Sequence, residues 1–74
     1  MPHVVVKMIM GRTEEQKQEL AERITKDVME VLNSQEGDVS VSIVDVKKED
    51  WKRVYDQEIM PQEAFLHKKP GYQM

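Results

Sequence analysis

The residue best placed to do chemistry is Pro2, directly behind the initiator Met1 and ahead of the run Val4-Val5-Val6-Lys7-Met8-Ile9-Met10. A small second residue permits trimming of the initiator methionine, and trimming turns an inert prolyl amide into a free secondary amine. An amide nitrogen has no useful basicity. A secondary amine at the edge of an apolar sheet is a base near neutral pH, because desolvation disfavours its charged form. The chemistry open to it is proton transfer, or attack on a carbonyl to give an iminium or enamine. Proline at the second position is by itself common, so the reading depends on what surrounds it.

Other reactive groups are sparse. The chain has no cysteine, which removes disulfides, thiolate metal sites and cysteine nucleophiles. His3 and His67 are the two histidines, far apart and without carboxylates at ligand spacing, so no metal site is expected. His3 points opposite to Val4, towards a site mouth or an interface. Met8 and Met10 read as core filler. Tyr55 carries a hydroxyl able to reach a ligand, yet it shares an apolar face with Trp51 and reads first as core. Arg12, taken alone, is a solvated turn residue.

The elements that position these groups follow from periodicity. Residues 3–10 alternate, with Val4, Val6, Met8 and Met10 on one face and His3, Val5, Lys7 and Ile9 on the other, which predicts a strand. Gly11-Arg12 breaks it. Thr13 with Gln16 three residues on forms a capping-box pattern, and Glu14 and Glu15 suit the positive end of a helix dipole. Leu20, Ala21, Ile24, Val28, Val31 and Leu32 recur at helical spacing. The segment Asn33 to Gly37 ends that helix. Val39, Val41 and Ile43 alternate with Ser40 and Ser42, predicting a second strand that runs to about Val46. Strand, long helix, strand is a βαβ unit, so the two strands should be parallel. A second helical stretch begins near Glu49, with Trp51, Tyr55 and Ile59 on one face; Pro61 interrupts it and Pro70-Gly71 makes a turn.

Seventy-four residues are read as one small domain, 1–74. The net charge of −3 leaves nucleic-acid binding without an electrostatic footprint. No stretch approaches a membrane span and no signal sequence is evident, so a soluble cytoplasmic protein with no membrane partner is expected. A two-stranded sheet has two open edges, and Val5, Ile9, Val44 and Val46 lie away from the long helix. Association of at least two subunits is the simplest remedy.

The segment Pro2 … Gly11-Arg12-Thr13-Glu14-Glu15-Gln16-Lys17 resembles the opening of the 4-oxalocrotonate tautomerase family. The resemblance runs to Trp51, and the tail Lys68-Lys69-Pro70-Gly71-Tyr72 looks like that of a smaller bacterial subgroup of dimers. It implies an α/β fold: a βαβ unit with a short C-terminal helical segment, whose two-stranded parallel sheet is extended by dimerisation. It implies a cofactor-independent keto–enol tautomerase in which the amine of Pro2 moves a proton on a 2-hydroxydienoate or enolpyruvate. It further implies that Arg12 binds the substrate carboxylate and that Trp51 walls the site. Where the type enzyme has a second arginine this chain has Ser40, which can donate one neutral hydrogen bond but no fixed charge. A monocarboxylate enol or keto acid with an aromatic or alkyl tail is therefore the expected small-molecule partner, and Arg53 is the candidate to replace the missing charge. Hydration or iminium chemistry at the same amine, and a non-catalytic ligand-binding oligomer, are the alternatives.

Overall fold

A computed structural model describes all 74 residues. Strand β1 (His3–Ile9) and strand β2 (Ser40–Val46) form a two-stranded parallel sheet, connected by helix α1 (Glu14–Leu32). His3 pairs in register with Ser40, Val5 with Ser42, Lys7 with Val44 and Ile9 with Val46. Register partners in a parallel pair point to the same side, so His3, Val5, Lys7 and Ile9 share a face with Ser40, Ser42, Val44 and Val46. The βαβ unit is the one expected from the alternation of apolar residues.

The start of α1 is fixed by its own side chains. Thr13 Oγ1 accepts from the Gln16 amide at 3.0 Å, and Gln16 Oε1 accepts from the Thr13 amide at 3.0 Å, so both halves of the capping box form. Gly11, at φ 128°, makes the turn that a side chain would strain. The helix ends on Asn33 in the left-handed conformation, φ 54°, with the Ser34 amide donating to Met29 O. Lys17 ties the helix to the sheet: its ammonium meets Asp45 at 2.8 Å and Glu14 at 2.9 Å, and the hydrogen bond to Asp45, then that to Glu14, raises its pKa. The helix therefore covers the sheet face that carries Val41, Ile43 and Asp45.

The C-terminal third is more irregular than a second helix. A 3-10 turn (Lys48–Asp50) leads into one turn of α-helix, α2 (Trp51–Val54), then a wide π-type turn over Tyr55–Ile59 and 3-10 turns over Met60–Phe65. The expected spacing of four between Trp51, Tyr55 and Ile59 is broken by the π turn, whose hydrogen bond runs from the Met60 amide to Tyr55 O. Pro61 suits the first turn of the segment that follows. This segment lies over the β1 side of the face that α1 leaves open. Lys7 forms an ion pair with Glu58, and Val5, Lys7, Trp51, Val54, Glu58 and Ile59 line one small cavity. The C-terminal segment thus partly covers the β1 side of this face, although Val5 remains 50% exposed and Val44 40%.

Burial is thin. Only Val54 and Tyr55 are buried, and the last turn of α1 leaves Val31 80% and Leu32 59% exposed. The accessible surface of 6119 Å² exceeds the roughly 4,700 Å² expected of a compact 8.7 kDa monomer by about 1,400 Å². The radius of gyration is 13.8 Å, against about 11 Å for a chain of this length. The molecule is a slab of 37 × 31 × 18 Å rather than a sphere.

Candidate active site

The parallel register gathers one group of residues at the start of the sheet. The Ser40 amide donates to Pro2 O at 3.1 Å, which fixes Pro2 beside the first residue of β2. His3 Nδ1 and Ser40 Oγ share a hydrogen bond of 2.6 Å on the face that carries Val5. Pro2, His3 and Ser40 thus form one cluster: a latent amine, an imidazole and a hydroxyl. The hydroxyl is oriented by the imidazole, and Pro2 is only partly exposed. The role of His3 was not legible as chemistry in the sequence. Its signal was the register itself, since pairing Val4 with Val41 places His3 against Ser40.

A second group forms at the opposite end of β1. A cavity of about 450 Å³ is walled by Lys7, Met8, Ile9, Arg12, Trp51, Tyr72 and Met74. Its size is that of a small-ligand pocket. Its walls are mostly apolar, and Arg12 and Lys7 are its cations. Lys7 is engaged by Glu58, whereas Arg12 spends one donor on Ile9 O at 3.1 Å and is otherwise exposed. A guanidinium has five donors, so Arg12 keeps a fork for a carboxylate. Trp51 Nε1 donates to Tyr72 Oη at 3.0 Å, and the Tyr72 ring lies 5.7 Å from that of Tyr55 at 41°. Arg53 is exposed and walls neither this cavity nor its neighbour beside Val5. Tyr55 is 7% exposed and belongs to the core, not to the cavity.

The four residues singled out in the sequence therefore divide two and two: Pro2 with Ser40, Arg12 with Trp51. Seven extended residues, His3–Ile9, separate the pairs. At roughly 3.3 Å per residue, about 23 Å of strand lies between Pro2 and the Ile9 carbonyl that holds Arg12. No enol of the expected size spans that distance, so Pro2 and Arg12 of one chain do not meet on one substrate. Among the side chains, no group of three or more His, Cys, Asp or Glu is arranged to hold a metal ion, and no helix is long and apolar enough to cross a membrane.

The structure is thus a two-stranded parallel βαβ fold with a proline at one end of its sheet and an arginine-bearing apolar cavity at the other. Residues 2–55 match the family described as "Tautomerase enzyme". Over its full length the chain is 48% identical to Tautomerase PptA of Klebsiella pneumoniae strain 342, with 100% of both chains aligned. It is 42% identical to a probable tautomerase of Xylella fastidiosa strain 9a5c, over 97% of this chain and 89% of the other. A solved structure, that of YwhB, described as a homologue of 4-oxalocrotonate tautomerase, superposes with a TM-score of 0.62 at 42% identity, covering 64% of this chain and 77% of that one. The chain belongs to the tautomerase family. It is an isomerase of the tautomerase class.

Proposed function

We propose that the protein is a cofactor-independent keto–enol tautomerase in which Pro2, freed by removal of Met1, is both general base and general acid. The amine lone pair takes the proton of an enol hydroxyl. As the carbonyl forms, the carbon–carbon π pair takes a proton from the resulting ammonium. One proton moves, and no electron carrier is needed. Arg12 binds the carboxylate and stabilises enolate charge as it develops. Ser40, held by His3, offers one neutral donor beside the amine. That favours a 2-hydroxydienoate or enolpyruvate with a single carboxylate, because a second carboxylate would find no fixed positive charge at Ser40. Trp51 walls the Arg12 side of the site.

The observation that carries this reading is the clustering of Pro2 with Ser40 in a chain of the tautomerase family. On this reading Arg12 and Trp51 come from a neighbouring protomer, which the length of β1 supports. The excess surface of about 1,400 Å² supports such an assembly, since a stable interface takes about 800 Å² from each partner. A homodimer is the smallest assembly that completes the site. A cytoplasmic location accords with processing of Met1 by the ordinary route.

The test compares mature protein, beginning at Pro2, with a form in which a short peptide extension keeps Pro2 an amide. Mature protein should ketonise phenylenolpyruvate or 2-hydroxymuconate above the buffer rate, and the extended form should not. Equal activity in the two would overturn the proline mechanism. Borohydride should leave no reduced adduct during turnover; a trapped adduct would assign the amine to iminium chemistry instead.

A further inference from the structure

The tail after Pro70 carries no helix or strand, yet it is anchored at a specific place. Tyr72 packs its ring against buried Tyr55, and its oxygen accepts from the Trp51 indole. Tyr72 and Met74 line the Arg12 cavity together with β1 residues Met8 and Ile9. The indole N–H of half-buried Trp51 finds its acceptor in Tyr72. The position of Trp51 and the position of the tail are therefore set together. A phenol oxygen that accepts one hydrogen bond still has its own proton to donate.

We propose that the C-terminal tail, pinned through Tyr72, is a specificity-determining strap on the Arg12 half of the site, selecting monocarboxylates with an aromatic tail. The inference rests on the proposed function for its substrate, and on the Trp51–Tyr72–Tyr55 contacts for its residue. Arg12 holds the carboxylate, and the ring of the ligand packs against the joint surface that the hydrogen-bonded Trp51 and Tyr72 present, where aromatic side chains reward a flat partner more than a flexible alkyl chain. With the tail removed, the cavity loses Tyr72 and Met74 and the Trp51 indole loses its acceptor. The carboxylate contact survives while the preference for an aromatic group is lost. Tyr72 acts here as a binding and positioning residue and takes no part in the proton transfer.

Binding tests this without catalysis. The ligands are 3-phenylpropanoate and hexanoate, two monocarboxylates that cannot tautomerise, titrated into the assembled protein. Trp51 is the single tryptophan, so its fluorescence reports the site directly. Wild type should bind 3-phenylpropanoate more tightly than hexanoate. Tyr72→Phe, which keeps the ring, should shift the Trp51 emission and raise Kd for the aromatic ligand about 2- to 10-fold, the range one neutral hydrogen bond supplies. A chain ending at Gly71 should bring the two affinities within about twofold of each other. In turnover, the KM for phenylenolpyruvate should rise by the same factor, with kcat taking the smaller share. Equal losses for both ligands, or an unshifted emission in Tyr72→Phe, would overturn the strap; should the truncated chain fail to fold, Tyr72→Phe alone decides. A wild type that discriminates between the ligands but ketonises no enol would keep the strap and overturn the proposed function.

Discussion

Mixing two defective forms should regenerate a tautomerase. One form carries the peptide extension that keeps Pro2 an amide; the other is Arg12→Ala. The extended form has no base and should be inactive. Arg12→Ala loses a charge-assisted bond of about 1.5–3 kcal/mol, so its kcat/KM should fall about 10- to 100-fold, leaving roughly 1–10%. About 23 Å of β1 separates Pro2 from the Arg12 anchor, so the proposed site would take its amine and its arginine from different protomers. When equal amounts are unfolded together and refolded, the protomers assort at random. About half of all sites then carry a free Pro2, and about half of those face an intact Arg12. About a quarter of wild-type kcat/KM per protomer should return. If both residues served one site from a single chain, no intact site could form, and the mixture would give only about 0.5–5%, the mean of its parents. Initial rates with phenylenolpyruvate, before and after co-refolding, separate the two outcomes by at least about fivefold. A mixture that stays at the mean of its parents would refute the shared site.

Three further outcomes follow from the same structure. Ser40→Arg should improve 2-hydroxymuconate relative to phenylenolpyruvate in kcat/KM, since it places a fixed charge beside Pro2; an unchanged ratio would remove Ser40 from substrate selection. The pKa of Lys17 is raised by its hydrogen bonds to Asp45 and Glu14, so its contribution to stability is fully present below its unfolded pKa, about 10.4, and is lost as pH rises through the higher folded value. The denaturant midpoint of Lys17→Met should therefore lie below that of wild type at pH 8, and the gap should close as pH rises through the raised folded value; a gap that stays constant would show that the ion pair is not its source. Sedimentation equilibrium at micromolar concentration should give about twice the 8.7 kDa chain mass, with an unfolding midpoint that rises with protein concentration. A stable monomer would contradict the shared site, whereas a hexamer would leave it standing.

The β1–α1–β2 unit is legible in the sequence because its determinants are local. Val4, Val6 and Met8 alternate within one strand, Thr13 and Gln16 cap each other across three positions, and Asn33 ends the helix by its own conformation. Each involves residues within a few positions of one another, where the backbone fixes the geometry. The candidate residues Pro2, Arg12, Ser40 and Trp51 were legible as types, through their likeness to a family pattern. Their division into two halves was not, because it depends on which strand end each one occupies once β1 and β2 have paired. The sequence marked the short C-terminal helical segment near Glu49, but the long-range contacts of the C-terminal third were decided by the tertiary structure. Lys7 meets Glu58 across 51 positions and Trp51 meets Tyr72 across 21, contacts that no periodicity encodes. They form where the βαβ unit leaves one sheet face open and Tyr55 is buried, and they set the irregular tail along the cavity that Arg12 also lines. Short-range patterns select elements; the wall of a site is chosen by whichever distant segment can cover the apolar surface those elements leave exposed.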